Sequence, residues 1–527
     1  MPRPPSITTS IPPLPPARAL PPPKLFYQRF LSSLPAYTGS SHVGYIDLEL
    51  PITTHPSSSF ASSPPGSNSP NTPSTVLLAI YYPAAFNDDL PKSERKKIIK
   101  HKSGPPVQWS SAKGKARKYL VTAVYTGWVK FRGWGVTLPV LRNGGLKDFP
   151  RVLEKVRGES CSLDVIEEED DEHGKGKEEE EKRKRYPVII FSHGFGGSRK
   201  SYSSICGNLA SYGFVVVAIE HRDGSAARTY VNKPSEPSKG EEGQTADGSK
   251  RKTVKRKGSY AVNYVSPQDK NASPHDDHGV DIETRESQLA MRLAEIEQVY
   301  HILELINDGK GDDEIHEKNL RKNGDVDWKE WEDGLYLDNI TMMGHCFGAT
   351  TALHALRSEH LGWLSHGVVL DPCVLSAIPD FAAGKDTELL EKPVLFVRSD
   401  EATTQWTENF ERIKKICREA QGKQEKHSGT LCCMATLKGS TTHISQTDFA
   451  VLYPNCMSAL MKTRRTKPIV KPKRAIHLTA HSAFEFLKST LPPHQTRFLD
   501  IIDSDHLLKD MSVSDETEIG FDHRLDG

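Results

Sequence analysis

The sequence predicts an α/β fold built on a mostly parallel, doubly wound sheet, because short apolar runs alternate with helical segments. Residues 186–192 (YPVIIFS) and 213–220 (GFVVVAIE) have the length and apolar content of strands buried on both faces. Residues 282–306 place Leu289, Leu293 and Ile296 on one face of a helix, at steps of three and four. Helices that connect such strands let neighbouring strands run parallel and cover the faces of the sheet.

The remaining elements continue this alternation in chain order. Residues 45–50 alternate apolar and polar side chains, and residues 76–82 are a second short apolar run, so the two predict an early antiparallel hairpin. Downstream of the long helix the pattern predicts a strand, a helix and two further strands, at residues 340–343, 347–357, 367–370 and 393–398.

Length and composition favour one large domain with loose insertions. The chain has 527 residues, 38 Gly, 36 Pro and several charged runs, which favours one domain over residues 25–490. Residues 1–24 are expected to be a proline-rich disordered tail and residues 491–527 a C-terminal tail. Low-complexity insertions, expected to be solvated and irregular, interrupt the domain at about residues 53–75, 167–185 and 232–280.

The charge balance argues against nucleic acid as a partner. The chain carries 69 basic and 68 acidic residues, a formal net charge of +1, which favours a neutral or zwitterionic substrate. The first residues contain no apolar run suited to a signal peptide, so we expect a cytoplasmic protein. The eight cysteines show no disulfide framework and are expected to be reduced thiols, packed mainly as small apolar residues.

Residues 119–141 form an aromatic segment with two interpretations. Trp128, Phe131 and Trp134 stand beside Lys and Arg, a composition that suits the headgroup boundary of a lipid bilayer and would make the segment a peripheral membrane contact. The segment is interrupted by charged residues, Gly and Pro, so it is not expected to span a bilayer. The other interpretation, a helix packed on the sheet, is the favoured one.

The most informative motif is Gly344-His345-Cys346-Phe347-Gly348, between a predicted strand and a predicted helix. A Gly two residues before and two after the central residue allows a sharp strand-to-helix turn, which exposes the central side chain above the sheet. This is a nucleophile elbow with cysteine in place of the usual serine. It predicts nucleophilic catalysis by the thiol of Cys346.

An elbow nucleophile needs a general base and an acid that orients the base, which follow in the order nucleophile, acid, histidine. Asp371 ends the predicted strand 367–370, and His443 follows in the loop 438–443 (KGSTTH). Asp371 is the first candidate for the acid. Asp400 or Glu401, after the next predicted strand, is the alternative, since many proteins of this fold carry the acid one strand later.

The oxyanion that forms during acyl transfer needs two hydrogen-bond donors. The expected donors are the amide that follows the nucleophile and an amide in the loop after an early strand. Here they are the amides of Phe347 and of Phe195, which lies in the glycine-rich loop His193-Gly194-Phe195-Gly196-Gly197-Ser198.

Other catalytic motifs fit poorly. His221-Arg222-Asp223 is similar to a kinase catalytic loop, but Arg228 stands where that loop requires Asn, and no glycine-rich phosphate loop precedes it. The sequence contains no GxxxxGKS/T loop and no metal-ligand pattern. We therefore expect no cofactor and no metal.

These motifs together resemble the platelet-activating factor acetylhydrolases, the group VII type of calcium-independent phospholipase A2. The resemblance covers roughly residues 25–490 and is more specific than the elbow alone. It rests on residues 188–197 (VIIFSHGFGG), 209–226 (LASYGFVVVAIEHRDGSA), the helix 282–306, residues 344–348, 369–371 and 439–440, His443, and the early strand 43–45 with Asp47.

The resemblance implies an α/β-hydrolase fold and metal-independent removal of a short or oxidised acyl group from the sn-2 position of a glycerophospholipid. It assigns Cys346 as nucleophile, Asp371 as acid, His443 as base, and the Phe195 and Phe347 amides as oxyanion donors. The family pattern has serine at position 346. Cysteine there leaves three alternatives: a cysteine-dependent phospholipid hydrolase, a cysteine esterase for other small esters, and a lipid-binding protein with impaired catalysis.

Overall fold

The computed structural model describes residues 34–52, 74–86, 136, 138–147, 185–233, 258–265, 282–321, 324–378, 391–400, 402, 407–424, 432–440, 443–452, 470–496, 499 and 519–521.

A single large sheet organises these residues. Its strands are β1 (His42–Pro51), β2 (Thr75–Ala84), β3 (Leu141–Arg142), β4 (Tyr186–Ser192), β5 (Val215–Ile219), β8 (Leu335–His345), β9 (Leu364–Leu370), β10 (Val394–Ser399), β11 (Cys432–Leu437) and β12 (Ile519–Phe521). Their order across the sheet is β12, β11, β10, β9, β8, β4, β5, β2, β1, β3. The six strands from β11 to β5 run parallel, whereas β12 and β2 pair antiparallel to their inner neighbours. The predicted mostly parallel sheet is confirmed.

Helices connect the parallel strands and cover the sheet. They are α1 (Ser203–Ser211), α2 (Ile282–Asn307), α3 (Phe347–Arg357), α4 (Thr407–Gln424), α5 (Asp448–Leu452), α6 (Pro472–Thr490) and α7 (Pro493–Thr496). The core strands are apolar on both faces, and every residue of β4 and β5 is buried. This burial explains their unbroken apolar runs, since both faces of a parallel sheet pack against helices.

The elements predicted from the sequence lie where expected, but β8 and β9 begin earlier than predicted. The β1–β2 hairpin is confirmed in register from His42 opposite Ala84 to Pro51 opposite Thr75. Strand β8 begins at Leu335, five residues before its predicted start. Its first half carries exposed and half-buried polar side chains, including Asp338 and Asn339, so the apolar signal appears only from Ile340.

Two segments predicted to lie outside the regular structure contribute strands. Within the predicted insertion 232–280, β7 (Ser259–Asn263) pairs antiparallel with β6 (Arg228–Asn232). Strand β12 lies beyond residue 490, in the predicted C-terminal tail, and pairs with β11. Strands β6 and β7 form a separate two-stranded sheet, and β12 is an edge strand of the large sheet. Both pairings span five residues or fewer, and such short strands carry little periodic signal in a sequence.

Only the end of the aromatic segment 119–141 falls within the described residues. Val136 and Leu138 are buried in the core, and Leu141 begins β3, which pairs with β1. Trp128, Phe131 and Trp134 lie outside the described residues, so the membrane contact stays a prediction. Among the helices that the structure describes, none is both long and apolar enough to cross a bilayer.

The two glycines of the elbow are required by close backbone approach. A Cβ at Gly344 would lie 2.1 Å from the carbonyl oxygen of Gly348, and a Cβ at Gly348 would lie 2.1 Å from the carbonyl oxygen of Ser192. These oxygens belong to the backbone of α3 and β4, both buried here, so they cannot move without disturbing the packing. The strand-to-helix turn therefore exists only with glycine at both positions.

We predict that Gly348→Ala destabilises the protein by about 1–3 kcal/mol, the range of overpacked cores. In an open helix Gly→Ala stabilises by roughly 1 kcal/mol, so the sign of the change in unfolding free energy distinguishes a crowded position from an open one. Gly362→Ala is the matched control, because its added Cβ would meet only the Glu359 carbonyl oxygen at 3.4 Å. Urea unfolding monitored by circular dichroism measures both variants. Equal midpoints for the natural protein and Gly348→Ala would contradict the geometry.

Candidate active site

Cys346 occupies the turn between β8 and α3 in a strained backbone conformation. Its φ of 56° and ψ of −120° lie in a region that non-glycine residues rarely adopt. The Cys346 amide donates to the Leu370 carbonyl oxygen at 2.9 Å, which ties the elbow to the end of β9. The thiol stands at the N-terminus of α3 and is 2% exposed. This is the geometry of a nucleophile elbow, and the positive helix end favours the thiolate.

Asp371 lies at the end of β9, the strand next to the elbow. Its carboxylate is 1% exposed and accepts hydrogen bonds from the Ser399 amide at 2.7 Å and from Gln446 Nε2 at 3.1 Å. Burial raises the pKa of Asp371 to about 7, against the opposing effects of the Ser399 hydrogen bonds and the Arg398 charge. The negative charge of a Cys346 thiolate acts in the same direction as burial and is the smaller of the two effects. The two side chains therefore influence each other's ionisation.

His443 begins a short 3-10 helix, His443–Gln446, after β11. Its imidazole lies outside the described residues, so its contacts with Cys346 and Asp371 are not defined. The far end of the same turn is defined, because Gln446 is buried and donates to Asp371. This hydrogen bond brings the turn that carries His443 to the carboxylate of Asp371.

The alternative acid, Asp400, occupies a different position. Its Oδ2 accepts from the Gly439 amide at 3.0 Å, and its own amide donates to Ser440 Oγ at 3.0 Å. Asp400 thus anchors the loop that precedes His443, whereas Asp371 contacts the His443 turn itself. Glu401 lies outside the described residues. The arrangement favours Asp371 over Asp400 as the partner of His443.

The two candidate oxyanion loops pack directly against each other. The rings of Phe195 and Phe347 stack with centroids 4.6 Å apart and planes 10° apart. The Tyr202 hydroxyl bridges the same two segments, since it accepts from the Gly194 amide at 3.2 Å and bonds His345 Nδ1 at 2.8 Å. Phe347 is the first residue of α3, where amides have no partner within the helix. The glycine-rich loop and the elbow therefore lie side by side, and a Cβ at Gly194 would come within 2.8 Å of Cys346 Cβ.

Arg292 of α2 connects the glycine-rich loop, the loop after β5 and the elbow helix, and sequence reasoning missed it. Its guanidinium is fully buried and pairs with Asp223 at 2.7 Å. It also donates to the His193 carbonyl oxygen at 3.0 Å, to Thr351 Oγ1 of α3 at 3.2 Å and to Ser225 Oγ at 2.6 Å. Its charge lies 4.6 Å from the centre of the Phe347 ring. Arg292 therefore positions the oxyanion loop and the elbow helix together.

Arg285, two turns earlier on the same helix, is also buried beside the oxyanion loops. Its guanidinium lies 4.3 Å from the Phe195 ring centre, and its Nη1 donates to Gln288 Oε1 at 2.7 Å. The phenol of Tyr264, which follows β7, lies beside Arg285, and burial raises its pKa. Among the described residues, no carboxylate forms an ion pair with Arg285, and its Nε has no hydrogen-bond partner. Arg285 is thus a buried cation whose described contacts lie beside the candidate oxyanion loop of Phe195.

A polar stripe on α2 could have revealed these residues in the sequence. Arg285, Gln288, Arg292 and Glu295 follow one another at steps of three, four and three, so they share one helix face. The apolar residues beside this face satisfy the pattern of a packed helix by themselves, so that pattern does not reveal the buried polar face. All four side chains are buried. Charged residues on a buried helix face are rare enough to indicate a functional or organising network.

The kinase-like motif at residues 221–223 belongs to the same network. His221 bonds Glu295 through Nδ1 and Ser192 Oγ through Nε2, the latter at 2.7 Å. Burial lowers the pKa of His221 well below its usual range, and burial with the Asp223 charge raises the pKa of Glu295 to about 8. The pair is thus held neutral near neutral pH. Within the described residues, this motif supports the fold behind the site rather than phosphoryl transfer.

The mostly parallel sheet and the glycine-flanked turn at Cys346 together define an α/β-hydrolase fold. The family model of platelet-activating factor acetylhydrolase, isoform II, matches residues 165–505. The match covers more than half of the chain, and the chain belongs to that family. This confirms the resemblance inferred from the motifs.

Individual relatives agree with the family model. Platelet-activating factor acetylhydrolase of Gallus gallus is 29% identical over 309 residues, which are 58% of this chain and 62% of that protein. The protein of the same name from Canis lupus familiaris is 29% identical over 273 residues, 50% of this chain and 49% of its own. The matched region thus spans less than two thirds of these relatives. A solved ferulic acid esterase from Streptomyces cinnamoneus aligns over 93% of this chain and 99% of its own at 14% identity, with a TM-score of 0.48.

We predict a pH-dependent stability term from Asp371. Because burial raises its pKa to about 7, the folded state binds a proton that the unfolded state has lost. The stabilisation is complete below the unfolded pKa and disappears as the pH rises through about 7. Relative to the natural protein, Asp371→Asn should therefore gain unfolding free energy between about pH 5.5 and about pH 8.5. Urea unfolding at the two pH values measures this. A difference between the two proteins that does not change with pH would contradict the prediction.

Proposed function

We propose that this protein hydrolyses the sn-2 short-chain acyl ester of platelet-activating-factor-like or oxidised glycerophospholipids, with Cys346 as nucleophile, His443 as base and Asp371 as the acid that orients it. One observation carries the proposal: the strained elbow places Cys346 beside the glycine-rich loop of Phe195, and Asp371 after the neighbouring strand contacts the His443 turn. Family membership supports the same chemistry.

The reaction follows from this arrangement. The Cys346 thiolate attacks the ester carbonyl carbon, and the amides of Phe195 and Phe347 stabilise the resulting oxyanion. The intermediate collapses, the sn-2 oxygen leaves with a proton from His443, and the acyl group remains on sulfur as a thioester. Water then attacks the thioester while His443 accepts its proton, which releases the carboxylic acid and restores the thiol. Asp371 must be ionised to stabilise the protonated imidazole, so activity should rise with pH through about 7.

Cysteine at the elbow changes how much the reaction needs the base and where the oxyanion forms. A thiol at a helix N-terminus forms its nucleophile with less help from a base than a serine hydroxyl does. Its longer bonds, however, place the oxyanion differently relative to amides arranged for serine, and misplacements of this kind can cost ~10²-fold in rate. The packed Phe195 and Phe347 loops, bound to Arg292, leave little freedom to adjust.

Arg285 supports a substrate that carries a phosphate. Its guanidinium stacks over Phe195, whose amide is a proposed oxyanion donor, and lacks a carboxylate partner among the described residues. A planar guanidinium is well suited to bind phosphate oxygens. A phosphate near the scissile ester would supply the missing negative charge. This also agrees with the balanced net charge of the chain, which favours a zwitterionic substrate.

A second candidate is a lipid-binding protein of the same fold with impaired catalysis. It is favoured by one contact: Cys346 Sγ lies 3.1 Å from Cys373 Sγ, so the nucleophile faces a second thiol within the site. Binding of a phospholipid would need the fold and Arg285 but no competent thiolate. The two candidates therefore differ in what replacement of Cys346 does.

We predict that Cys346→Ala lowers hydrolysis of an sn-2 acetyl phospholipid by at least about 10³-fold, because it removes the nucleophile. Cys346→Ser tests whether the site tolerates oxygen and provides a matched side-chain volume. Release of the short-chain acid, measured by a coupled assay, is the readout. If Cys346→Ala matches the natural protein while Cys346→Ser gains activity, the lipid-binding candidate is correct and the hydrolase proposal is wrong.

We further predict that Arg285→Gln lowers kcat/KM for a phospholipid ester by about 10–10²-fold, the value of one charge-assisted hydrogen bond. Hydrolysis of a neutral ester such as p-nitrophenyl acetate should change little, because it carries no phosphate. Arg185→Gln is the control, since Arg185 is a half-exposed surface residue paired with Asp333. Equal losses for both esters would show that Arg285 supports the fold and does not recognise the substrate.

A further inference from the structure

The two thiols at the elbow form a close, buried pair. Cys346 Sγ and Cys373 Sγ lie 3.1 Å apart, and the two residues are 2% and 0% exposed. A disulfide has an S–S distance of about 2.05 Å, so the sulfurs need to approach by roughly 1 Å. From the sequence, all cysteines are expected to be independent thiols, because residues 346 and 373 show no motif spacing.

The backbone around both cysteines is already fixed. Cys346 is bonded to Leu370 through its amide, and His345 and Leu370 are opposite each other in the β8–β9 register. Cys373 follows Asp371 in a tight turn, in which Asp371 and Val374 have φ values of 43° and 54°. The Cys373 carbonyl oxygen also accepts a hydrogen bond from Thr350 of α3. Rotation about the side-chain bonds is therefore the main movement that an S–S bond would require.

We propose that Cys346 and Cys373 are a modification site at which hydroperoxides, either hydrogen peroxide or a lipid hydroperoxide, produce a reversible disulfide. The disulfide removes the thiol that we assign as nucleophile. Formation of the bond does not depend on the proposed hydrolase activity. Only its effect on hydrolysis rests on the proposed function.

The chemistry balances with the peroxide as the two-electron oxidant. The Cys346 thiolate attacks one peroxide oxygen, the O–O bond breaks, and water or a lipid alcohol leaves, so that Cys346 becomes a sulfenic acid. The Cys373 sulfur then attacks the Cys346 sulfur, and the hydroxyl group leaves as water with the proton from Cys373. Two thiols have been oxidised to one disulfide and the peroxide has been reduced. A dithiol such as dithiothreitol reverses the reaction by exchange.

Cys346 is the better placed of the two to react first. It stands at the N-terminus of the eleven-residue helix α3, where the helix dipole stabilises a thiolate. It also lies beside the loops that are proposed to admit an ester, so a peroxide of similar size can reach it by the same route. Cys373 has no helix terminus of its own and serves as the resolving thiol.

A second close pair of thiols tests whether proximity alone is enough for oxidation. Cys417 of α4 and Cys432 of β11 also lie close together, with their sulfurs 2.6 Å apart, and both are buried. The hydrogen bond with Cys417 and burial raise the pKa of Cys432 well above its usual range. This second pair is far from a helix N-terminus, so it should form a thiolate, and hence react with peroxide, much more slowly. Proximity alone would oxidise both pairs alike.

The test uses the full chain, reduced with dithiothreitol, desalted and treated with hydrogen peroxide. Remaining thiols are alkylated, and the protein is digested without reductant for mass spectrometry. We expect a Cys346–Cys373 linked peptide in the natural protein and in the control variant Cys432→Ser. In the natural protein it should form at least about 10-fold faster than a Cys417–Cys432 peptide. In Cys373→Ser we expect no such peptide, and instead the accumulation of Cys346 sulfinic acid.

Two outcomes would overturn the proposal. One is the absence of the Cys346–Cys373 peptide under peroxide that oxidises Cys346. The other is equal accumulation of Cys346 sulfinic acid in the natural protein and in Cys373→Ser, which would show that Cys373 does not resolve the sulfenic acid. Hydrolysis is followed in parallel: its loss should be reversed by dithiothreitol in the natural protein but not in Cys373→Ser. If no form hydrolyses the ester, the proposed function fails while the peptide readout still decides the disulfide.

Discussion

The site depends on one buried ion pair, between Arg292 of the long helix and Asp223 in the loop after β5. Both side chains are completely buried, where an isolated charge would cost several kcal/mol, so each needs the other. Although burial raises the pKa of Asp223, the Arg292 charge and the Ser225 hydrogen bonds lower it below its usual range. The remaining donors of Arg292 bind the oxyanion loop and the elbow helix. The loop after β5, the glycine-rich loop and the elbow helix thus meet at one guanidinium, which fixes how they pack together.

The buried carboxyl groups fall into two sets that differ in their ionisation. Carboxylates in the β1–β2 half of the sheet, such as Asp47 and Glu49, pair with Arg199 and Arg222 and stay ionised. By contrast, no Arg or Lys among the described residues forms an ion pair with Asp371 or Glu295, and burial raises their pKa values. One raised carboxyl pKa thus lies next to the elbow, at Asp371, and the other lies in the network behind it, at Glu295. Such a contrast is typical of a reaction centre supported by a structural network.

Much of this site could be predicted from the sequence because its signals are local. A turn is identified within about ten residues by each of three signals: the elbow glycines, the apolar strand before Asp371 and the glycine-rich loop around Phe195. The structure places these turns at the carboxyl ends of the adjacent strands β8, β9 and β4. Arg285 and Cys373 carried no such signal. Arg285 lies on a helix that the apolar pattern already explained, and Cys373 lies 27 residues from its partner thiol.

The sequence by itself determined the fold class, the family and the residue at the elbow, because strand burial, helix periodicity and glycine spacing act over short stretches of chain. Only the tertiary structure decided which polar groups meet. The order of strands brings Asp371 beside Cys346, the crossing of the long helix brings Arg285 and Arg292 to the oxyanion loops, and the turn after β9 places a second thiol against the first. Contacts between distant segments depend on how the elements pack, and no local pattern in the chain specifies them.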